Sequence, residues 1–565
     1  MLMRSGTMAK HETLVCCIVL LLDCLAITAS TEPDGSRVAS VVLNPETNRL
    51  HVEEGMHSHD TVAFGRFRNQ INETGWAFLE IETNKSYTDE IQAYAAGVLE
   101  ANLSRDLIQK QWNNMYAHYC DNQTQFCARL KEFLGHNLLY VGQQSLKHGP
   151  TDPYWHQVHM QMKQLRGLSD EFENEELNFS NEYTDVTRVL FFNIEGDLID
   201  LEQALKRKES AYDIGGNTTP CTALIKVLNN SRDIYFSHDA WFVYRSMLRI
   251  EKKYSIYLRT TKHSNNVVPG HVITMSSYPG KLVSLDDFYL TSAGLAVTET
   301  TIDNDNPALW EYLNPNGSVL TWTRGAVANR LASTGHEWIS IFKKHNSGTY
   351  NNQWLVLDYK LFTPYQPIQD NTLWALEQMP PVIEAADVSH VLRKQGYWPS
   401  YNVAYFKYIF NISGQPALVA KYGDYYTYAE APRARILRRD HVTVHDMDSM
   451  MRLMRYNDYK HDPVSTCNCT PPYNPVYAIS SRYDLLDPDG TYDVPRMNRR
   501  AVGGIDVKVT NSSLFKSLEF IAISGPTDES VPAFQWSTSG FPDKREGHPD
   551  LWTFGPVLHH WWSRA

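Results

Sequence analysis

From Cys221 onward the apolar residues of this chain stop recurring every three or four positions and begin to run or alternate. That switch sets what the chain can fold into. Val267 to Ser277, Phe288 to Thr301, Gln353 to Leu361 and Leu373 to Gln378 are apolar, β-branched or aromatic runs separated by Gly, Pro, Asn and Asp, as strands and turns require. Ahead of the switch the first third reads mainly helical. Ser86-Tyr87-Thr88-Asp89 makes a capping-box start, and Ile91, Tyr94, Ala95, Val98, Leu99 and Leu103 follow at 3/4 spacing. A second helix is predicted over Tyr154 to Leu168, and another, among the strands, over Thr323 to Lys344. With no internal repeat and no linker in 565 residues, one large α+β domain is favoured over several small ones.

The N-terminus points to the secretory pathway. Arg4 and Lys10 precede the apolar run Leu14 to Leu22, and the small residues Ala26, Thr28, Ala29 and Ser30 follow, the order of a signal peptide over residues 1–29. The run breaks at Asp23, well short of the ~20 residues a spanning helix needs, so a soluble mature chain without a transmembrane anchor is expected to begin near Ser30. Sequons at Asn72, Asn84, Asn102, Asn122, Asn178, Asn217, Asn229, Asn316, Asn411, Asn468 and Asn511 predict a heavily glycosylated luminal or secreted protein, with those positions on surface loops. A formal net charge of -12, with no dense Lys/Arg block, disfavours a nucleic-acid partner, since neutralising phosphates takes concentrated cationic charge.

Of the 8 cysteines, Cys16, Cys17 and Cys24 leave with the signal, so an odd set remains: Cys120, Cys127, Cys221, Cys467 and Cys469. The simplest pairing is local, Cys120 with Cys127 and Cys467 with Cys469, with cross-pairing of the two couples left open. Cys221 is then a lone thiol. The bland explanation is a buried structural cysteine.

Several chemistries lack their motif. There is no G-x-S-x-G, no P-loop and no G-x-G-x-x-G, and His336-Glu337-Trp338-Ile339-Ser340 lacks the second histidine of a zinc-protease helix. No metal and no cofactor are expected. The informative stretch is Cys221 to Val227 and Ile234 to Trp241 around a polar turn, a hairpin with a sequon near its tip. With Asn230-Ser231 at the turn, Cys221 pairs with Ala240 and Ala223 with His238. His238 then lies diagonal to Cys221 on one face, roughly 6 to 8 Å away, while Asp239 points to the other side. A one-residue slip would exchange the two. A lone thiol opening a strand, just behind the loop Gly215-Gly216-Asn217-Thr218-Thr219-Pro220, reads as an N-terminal nucleophile. In that reading the thiol cuts the Pro220–Cys221 bond by an N-to-S acyl shift, and the freed α-amine, of reference pKa about 7.7 to 8.0, becomes the general base.

The stretch Cys221 to Ile256, with CTALIK, SHDAW and MLRIEKKY, resembles the phospholipase B-like family, also called the lamina ancestor family. Ordered blocks extend the resemblance over nearly the whole mature chain: GWAFLEIET near Gly75, YWHQVHMQMKQLRGL, SSYPG at Ser276 to Gly280, VTETTI at Val297 to Ile302, NNQWLVLDYK at Asn351 to Lys360, APRARILRRD at Ala431 to Asp440, and GGIDVKVT at Gly503 to Thr510. The resemblance implies a four-layer αββα sandwich of N-terminal nucleophile hydrolase type. It also implies autoproteolysis before Cys221, which would divide one intertwined domain into a helical fragment 30–220 and a nucleophile-bearing fragment 221–565. The activity implied is removal of fatty acyl groups from glycerophospholipids, by a protein that is secreted or held in the lysosomal lumen. The alternatives are an amidase acting on N-acyl lipids and a glycosylated binding protein with a retired active site. Cys221 matches the family nucleophile, and His238 and Asp239 stand where related cysteine hydrolases carry a polar pair beside it. Thr300 and Asn352 are the candidates for oxyanion or amine contacts, and Arg435 for a phosphate or carboxylate head group. A lipid substrate is the expected partner, and a homodimer is left open.

Overall fold

In the computed structural model, which describes residues 34–56, 60–210, 212–214 and 221–562, the strand signals resolve into two large sheets. The signal segment, Pro220 and the Asn217 sequon lie outside the described residues. The longer sheet has eleven strands. It runs from Val382–Asp387 through Leu373–Met379, Asn352–Asp358, Leu295–Thr301, Tyr289–Thr291, Val272–Ser277 and Arg249–Ser255, then on to Trp76–Thr83, Thr61–Gln70, Arg37–Asn44 and Arg49–Glu54. Its neighbours are antiparallel except where Trp76–Thr83 meets Arg249–Ser255, which pair parallel. That pair joins chain from before Cys221 to chain from after it. A cut ahead of Cys221 would therefore leave both pieces hydrogen-bonded into one sheet.

The second sheet has six strands, in the order Tyr397–Ser400, Cys221–Val227, Ile234–Val243, Val502–Asn511, Ile521–Ser524 and Val557–Leu558. Every residue of Cys221–Val227 and of Ile234–Val243 is buried, so this hairpin is covered on both faces. Alternation divides its side chains between two interiors. Ala223, Ile225, Ile234 and Phe236 share one apolar cluster with Trp76, Phe78, Ala296, Leu355 and Leu357 of the longer sheet. Leu224, Tyr235, Val507 and Val509 pack instead with Ile436, Leu437, Met450 and Met454 of the helices Pro432–Asp440 and Met447–Met454. On the longer sheet, Leu79, Ile81, Val297 and Val356 cluster with Tyr94, Val98 and Leu99 of the helix Asp89–Met115 and with Trp338 and Phe342.

The helices Asp89–Met115 and Pro153–Phe172 cross at glycines. A Cβ on Gly97 would stand 1.9 Å from the Gln164 carbonyl oxygen, and one on Gly167 2.0 Å from that of Tyr94. Either methyl would force two backbones apart. Gly167→Ala is therefore expected to cost about 1–3 kcal/mol or more of stability, read as a lower midpoint in thermal or denaturant unfolding.

Three expectations change. The first third is mainly helical, with Asp89–Met115, Thr124–His148 and Pro153–Phe172 its longest helices, and it also holds the strands Arg37–Asn44, Arg49–Glu54, Thr61–Gln70 and Trp76–Thr83, whose pattern is obscured by half-buried Arg66 and Arg68. No capping box forms at Thr88, whose side chain makes no cap bond. Asp89 is drawn instead to His156 at 2.8 Å and to the Arg259 amide at 2.8 Å. The helix expected over Thr323 to Lys344 is two, Thr321–Leu331 and Gly335–Phe342, because the Thr334 hydroxyl accepts from the Glu337 amide and starts a new one. Asn102 is not on a loop: it is half-buried within the long helix, and its Nδ2 donates to Glu171 at 3.0 Å.

Burial also sets how stability varies with pH. It pushes the Asp200 carboxyl up to about 8, and those of Glu202 and Glu377 up to about 7. The folded protein thus holds protons that the unfolded chain releases near pH 4, so their stabilisation is complete below that pH and is lost as pH rises through 7 to 8. The melting temperature is expected to be lower at pH 8.5 than at pH 6.5, with each such group removing up to about 1.4 kcal/mol per pH unit in that window.

Candidate active site

The hairpin forms in the register that its turn implies. Cys221 is opposite Ala240, Ala223 opposite His238, and Thr222 opposite Asp239. Asn230 and Ser231 take positive φ, 60° and 49°, the backbone that a tight two-residue turn matched to strand twist requires. The cysteines pair locally, Cys120 with Cys127 and Cys467 with Cys469, and Cys221 is a free, buried thiol.

Cys221 is held through its backbone and surrounded through its sulfur. Its amide nitrogen donates to Asn402 Oδ1 at 3.1 Å. Its carbonyl accepts from Arg433 Nη1 at 2.6 Å, and the same guanidinium donates to Thr222 Oγ1 and to the Tyr401 carbonyl and lies 4.4 Å over the Trp241 ring. Around the sulfur, Cys221 Sγ, a ring nitrogen of His238 and a carboxylate oxygen of Glu299 all lie within 4.8 Å of one another. Both ring nitrogens of His238 and Glu299 Oε2 lack a hydrogen-bond partner among the described residues. Glu299 Oε1 accepts from the Tyr350 hydroxyl at 3.1 Å.

Burial favours the uncharged form of each member of this trio. It raises the Cys221 thiol well above its usual value, with the nearby Glu299 adding to the rise, and a neutral thiol is a poor nucleophile until a base removes its proton. Burial and then Lys508, which pairs across the sheet with His238, keep the imidazole neutral far below its ordinary range. Burial and then Asp287 push the Glu299 carboxyl well above the usual carboxylate range. Beside the trio lies a buried ion-pair network. Arg249 bridges Asp286 and Asp506, Lys508 binds Asp506 at 2.5 Å and Asp286 at 3.3 Å, and Tyr278 donates to Asp286 at 2.8 Å. Against burial, which would raise it, Arg249 and Lys508 hold Asp286 below the usual carboxylate range. An imidazole, a thiol and a carboxyl are also the donors of a zinc-class ion, and this is the one such group of three among the described residues.

The other candidate residues are dispersed. Asp239 lies on the opposite face from Cys221, next to Gly504, where a Cβ would stand 2.9 Å from its Oδ1. Burial and then Asp506 push its carboxyl up. Thr300 bonds to Ser400 Oγ at 2.6 Å and receives the Asn402 amide at 3.4 Å, so it supports the residue that holds the Cys221 nitrogen. Asn352 pairs with Thr301 on the neighbouring strand, its side-chain amide buried without partners among the described residues, and no hydrogen bond joins it to Cys221. Arg435 is exposed. Arg433 shares a helix face with buried Ile436 and Leu437, and its guanidinium reaches Cys221; Arg435, about 200° around the helix, points away.

Glu299, Asn402 and Arg433 escape sequence reasoning, although each had a signal. Arg433 carries the i, i+3, i+4 apolar pattern just given. Asn402 follows a short strand at φ 68°, a left-handed position that asparagine tolerates better than most residues. Glu299 is the one acid in an otherwise apolar and Thr-rich strand, Leu295–Thr301.

The phospholipase B family profile matches residues 63–559. Phospholipase B-like 2 of Bos taurus is 46% identical over 537 residues, covering 94% of this chain and 90% of that protein, and the Homo sapiens protein of the same name has the same identity and coverage. Phospholipase B-like 1 of Caenorhabditis elegans is 40% identical over 552 residues, 95% of each chain, and phospholipase B-like protein B of Dictyostelium discoideum 37% over 509 residues, 88% of this chain and 85% of that one. These names carry a likeness and no stated substrate. With the profile spanning most of the sequence and relatives this similar along nearly their full length, the chain belongs to the phospholipase B-like family.

Proposed function

We propose that this protein is an acyl hydrolase whose nucleophile, Cys221, is exposed by self-cleavage and acts on acyl esters of glycerophospholipids. The observation that carries the reading is a free thiol at the first residue of a buried strand, its nitrogen held by Asn402 and its sulfur within 4.8 Å of an imidazole and a carboxyl. Two sheets sharing one apolar interior, each with helices on its other side, support a four-layer αββα sandwich of the N-terminal nucleophile type.

The uncut chain poses a chemical requirement. Its Cys221 nitrogen is an amide and cannot serve as base, so the first proton must go elsewhere. His238 accepts it as the sulfur attacks the Pro220 carbonyl carbon. The C–N bond then breaks, the leaving nitrogen takes up a proton, and water hydrolyses the thioester to a Pro220 carboxylate and a free thiol. Glu299, whose carboxyl burial pushes up and which lies within 4.8 Å of the sulfur, is the proposed donor of that proton. In turnover the new α-amine, held by Asn402, takes the thiol proton and returns it to the leaving alcohol, and Arg433 fixes the strand end that carries both groups.

Processed protein is to be incubated with phospholipid esters and N-acyl amides of matched chain length. Release of fatty acid from the ester supports the reading. Release from the amide alone makes the protein an amidase, and release from neither, with Cys221 intact, makes it a binding protein.

A further inference from the structure

The three side chains around the sulfur form a donor set that acyl transfer does not exhaust. Cys221, His238 and Glu299 are 6%, 0% and 1% exposed and stand on the strands Cys221–Val227, Ile234–Val243 and Leu295–Thr301. They offer one sulfur, one nitrogen and one oxygen within 4.8 Å of one another. Both ring nitrogens of His238 and Glu299 Oε2 are buried without a hydrogen-bond partner among the described residues. Polar atoms in a dry interior cost free energy unless something bonds them, so lone pairs left beside a thiol call for a ligand.

Distance, donor type and charge agree on its class. A zinc-class ion binds sulfur at about 2.3 Å and nitrogen or oxygen at about 2.0–2.2 Å, which in a tetrahedron leaves donor atoms roughly 3 to 4 Å apart, so the trio has to draw in by about 1 Å. Sulfur with imidazole selects this class over magnesium and calcium, which take oxygen. On binding, the thiol and the carboxyl each give a proton to solvent, and two negative charges then meet the two positive charges of the ion. The network beside them sets Arg249 and Lys508 against Asp286 and Asp506, two charges against two, and adds no net repulsion. Three donors leave one position of a tetrahedron open. Cleavage before Cys221 would fill it, since the α-amine and the sulfur of one residue close a small chelate ring, and the amine keeps an N–H for Asn402 Oδ1.

We infer that Cys221, His238 and Glu299 form a binding site for a zinc-class divalent ion, completed by the Cys221 α-amine in the cut protein, and that the ion reversibly blocks the enzyme. A bound ion holds the sulfur and, through the amine, the base, so a loaded site cannot attack an acyl carbon. The fourth donor and the block rest on the acyl-hydrolase reading; the three-donor site does not. No metal motif marks it in the sequence, because its donors lie on three strands of two sheets with no fixed spacing between them.

The test begins with binding, which needs no turnover. Chelator-stripped protein is titrated with cobalt(II), whose bond to a thiolate gives a charge-transfer band in the near ultraviolet, and then with zinc. Cys221 is the one free cysteine among the described residues, so the band reports this sulfur. One equivalent of cobalt is expected to bind with that band, and zinc to displace it. Cys221→Ala, which keeps its backbone anchors, is expected to lose the band and to bind zinc about 100-fold or more weakly. His238→Ala and Glu299→Gln keep the thiol, and each is expected to alter the visible cobalt bands and weaken binding about tenfold or more. No band in the wild type, or a zinc affinity unchanged in Cys221→Ala, overturns the inference. Hydrolysis of a phospholipid ester by stripped protein, with and without one equivalent of zinc, then separates the claims. Activity that zinc removes and a chelator restores supports the block, and activity untouched by bound zinc overturns it. A cobalt band in a chain that neither cuts itself nor hydrolyses ester keeps the metal site and removes the acyl-hydrolase reading; turnover without any band does the reverse.

Discussion

Cys221→Ala is expected to remain a single uncut chain with no acyl-hydrolase activity, while folding normally. The methyl group cannot attack the Pro220 carbonyl, and without the cut there is no α-amine, so both functions of the residue vanish together. The change removes one sulfur from a buried strand end that is anchored through backbone atoms, to Asn402 Oδ1 and Arg433 Nη1, and those bonds persist in alanine. The melting temperature should therefore stay near that of the wild-type precursor. Cys221→Ser separates the two roles: the hydroxyl can perform the same acyl shift, more slowly, so partial cleavage over hours is expected. Full processing of the alanine variant, followed on denaturing gels after deglycosylation, would mean that another protease makes the cut.

His238→Ala should slow self-cleavage by a factor of roughly 10 to 10³, the range for losing one positioned polar group at a reacting centre. The imidazole is fully buried, has no other bonded partner among the described residues, and lies within 4.8 Å of the sulfur. Asp239→Asn should matter less for cleavage, because Asp239 pairs with Thr222 on the far face of the strand. If His238 were only a core histidine, its loss would lower stability by ~1 kcal/mol and leave the rate per folded molecule unchanged. Cleavage rate and melting temperature measured on both variants decide the matter. A normal rate for His238→Ala with a large loss for Asp239→Asn would give the base role to the other face.

What the sequence made legible was local. The hairpin register followed from a two-residue polar turn between strand runs, and its alternation alone put His238, and not Asp239, beside Cys221. The long-range partners were not legible. Glu299 comes to the sulfur from the other sheet, and a strand pattern tells which side chains share a face without telling what faces them. Thr300, its neighbour on that strand, meets Ser400 and Asn402. Arg435 lies on the exposed face of its helix, and counting i, i+3, i+4 back from Ile436 and Leu437 selects Arg433 as the arginine that reaches Cys221. The capping box at Ser86 failed for a related reason, since Asp89 serves His156 and Arg259, partners far along the chain.

The central claim is that the working enzyme begins at Cys221, and intact-mass analysis with N-terminal sequencing of the deglycosylated mature protein tests it most directly. Cleavage before Cys221 from a start at Ser30 predicts two pieces of about 22 and about 40 kDa, the larger with Cys221 as its first residue. They should elute together under native conditions, because Trp76–Thr83 of the smaller piece pairs with Arg249–Ser255 of the larger, and separate in denaturant. A mature, active protein that remains one chain through Pro220 and Cys221 would contradict the account.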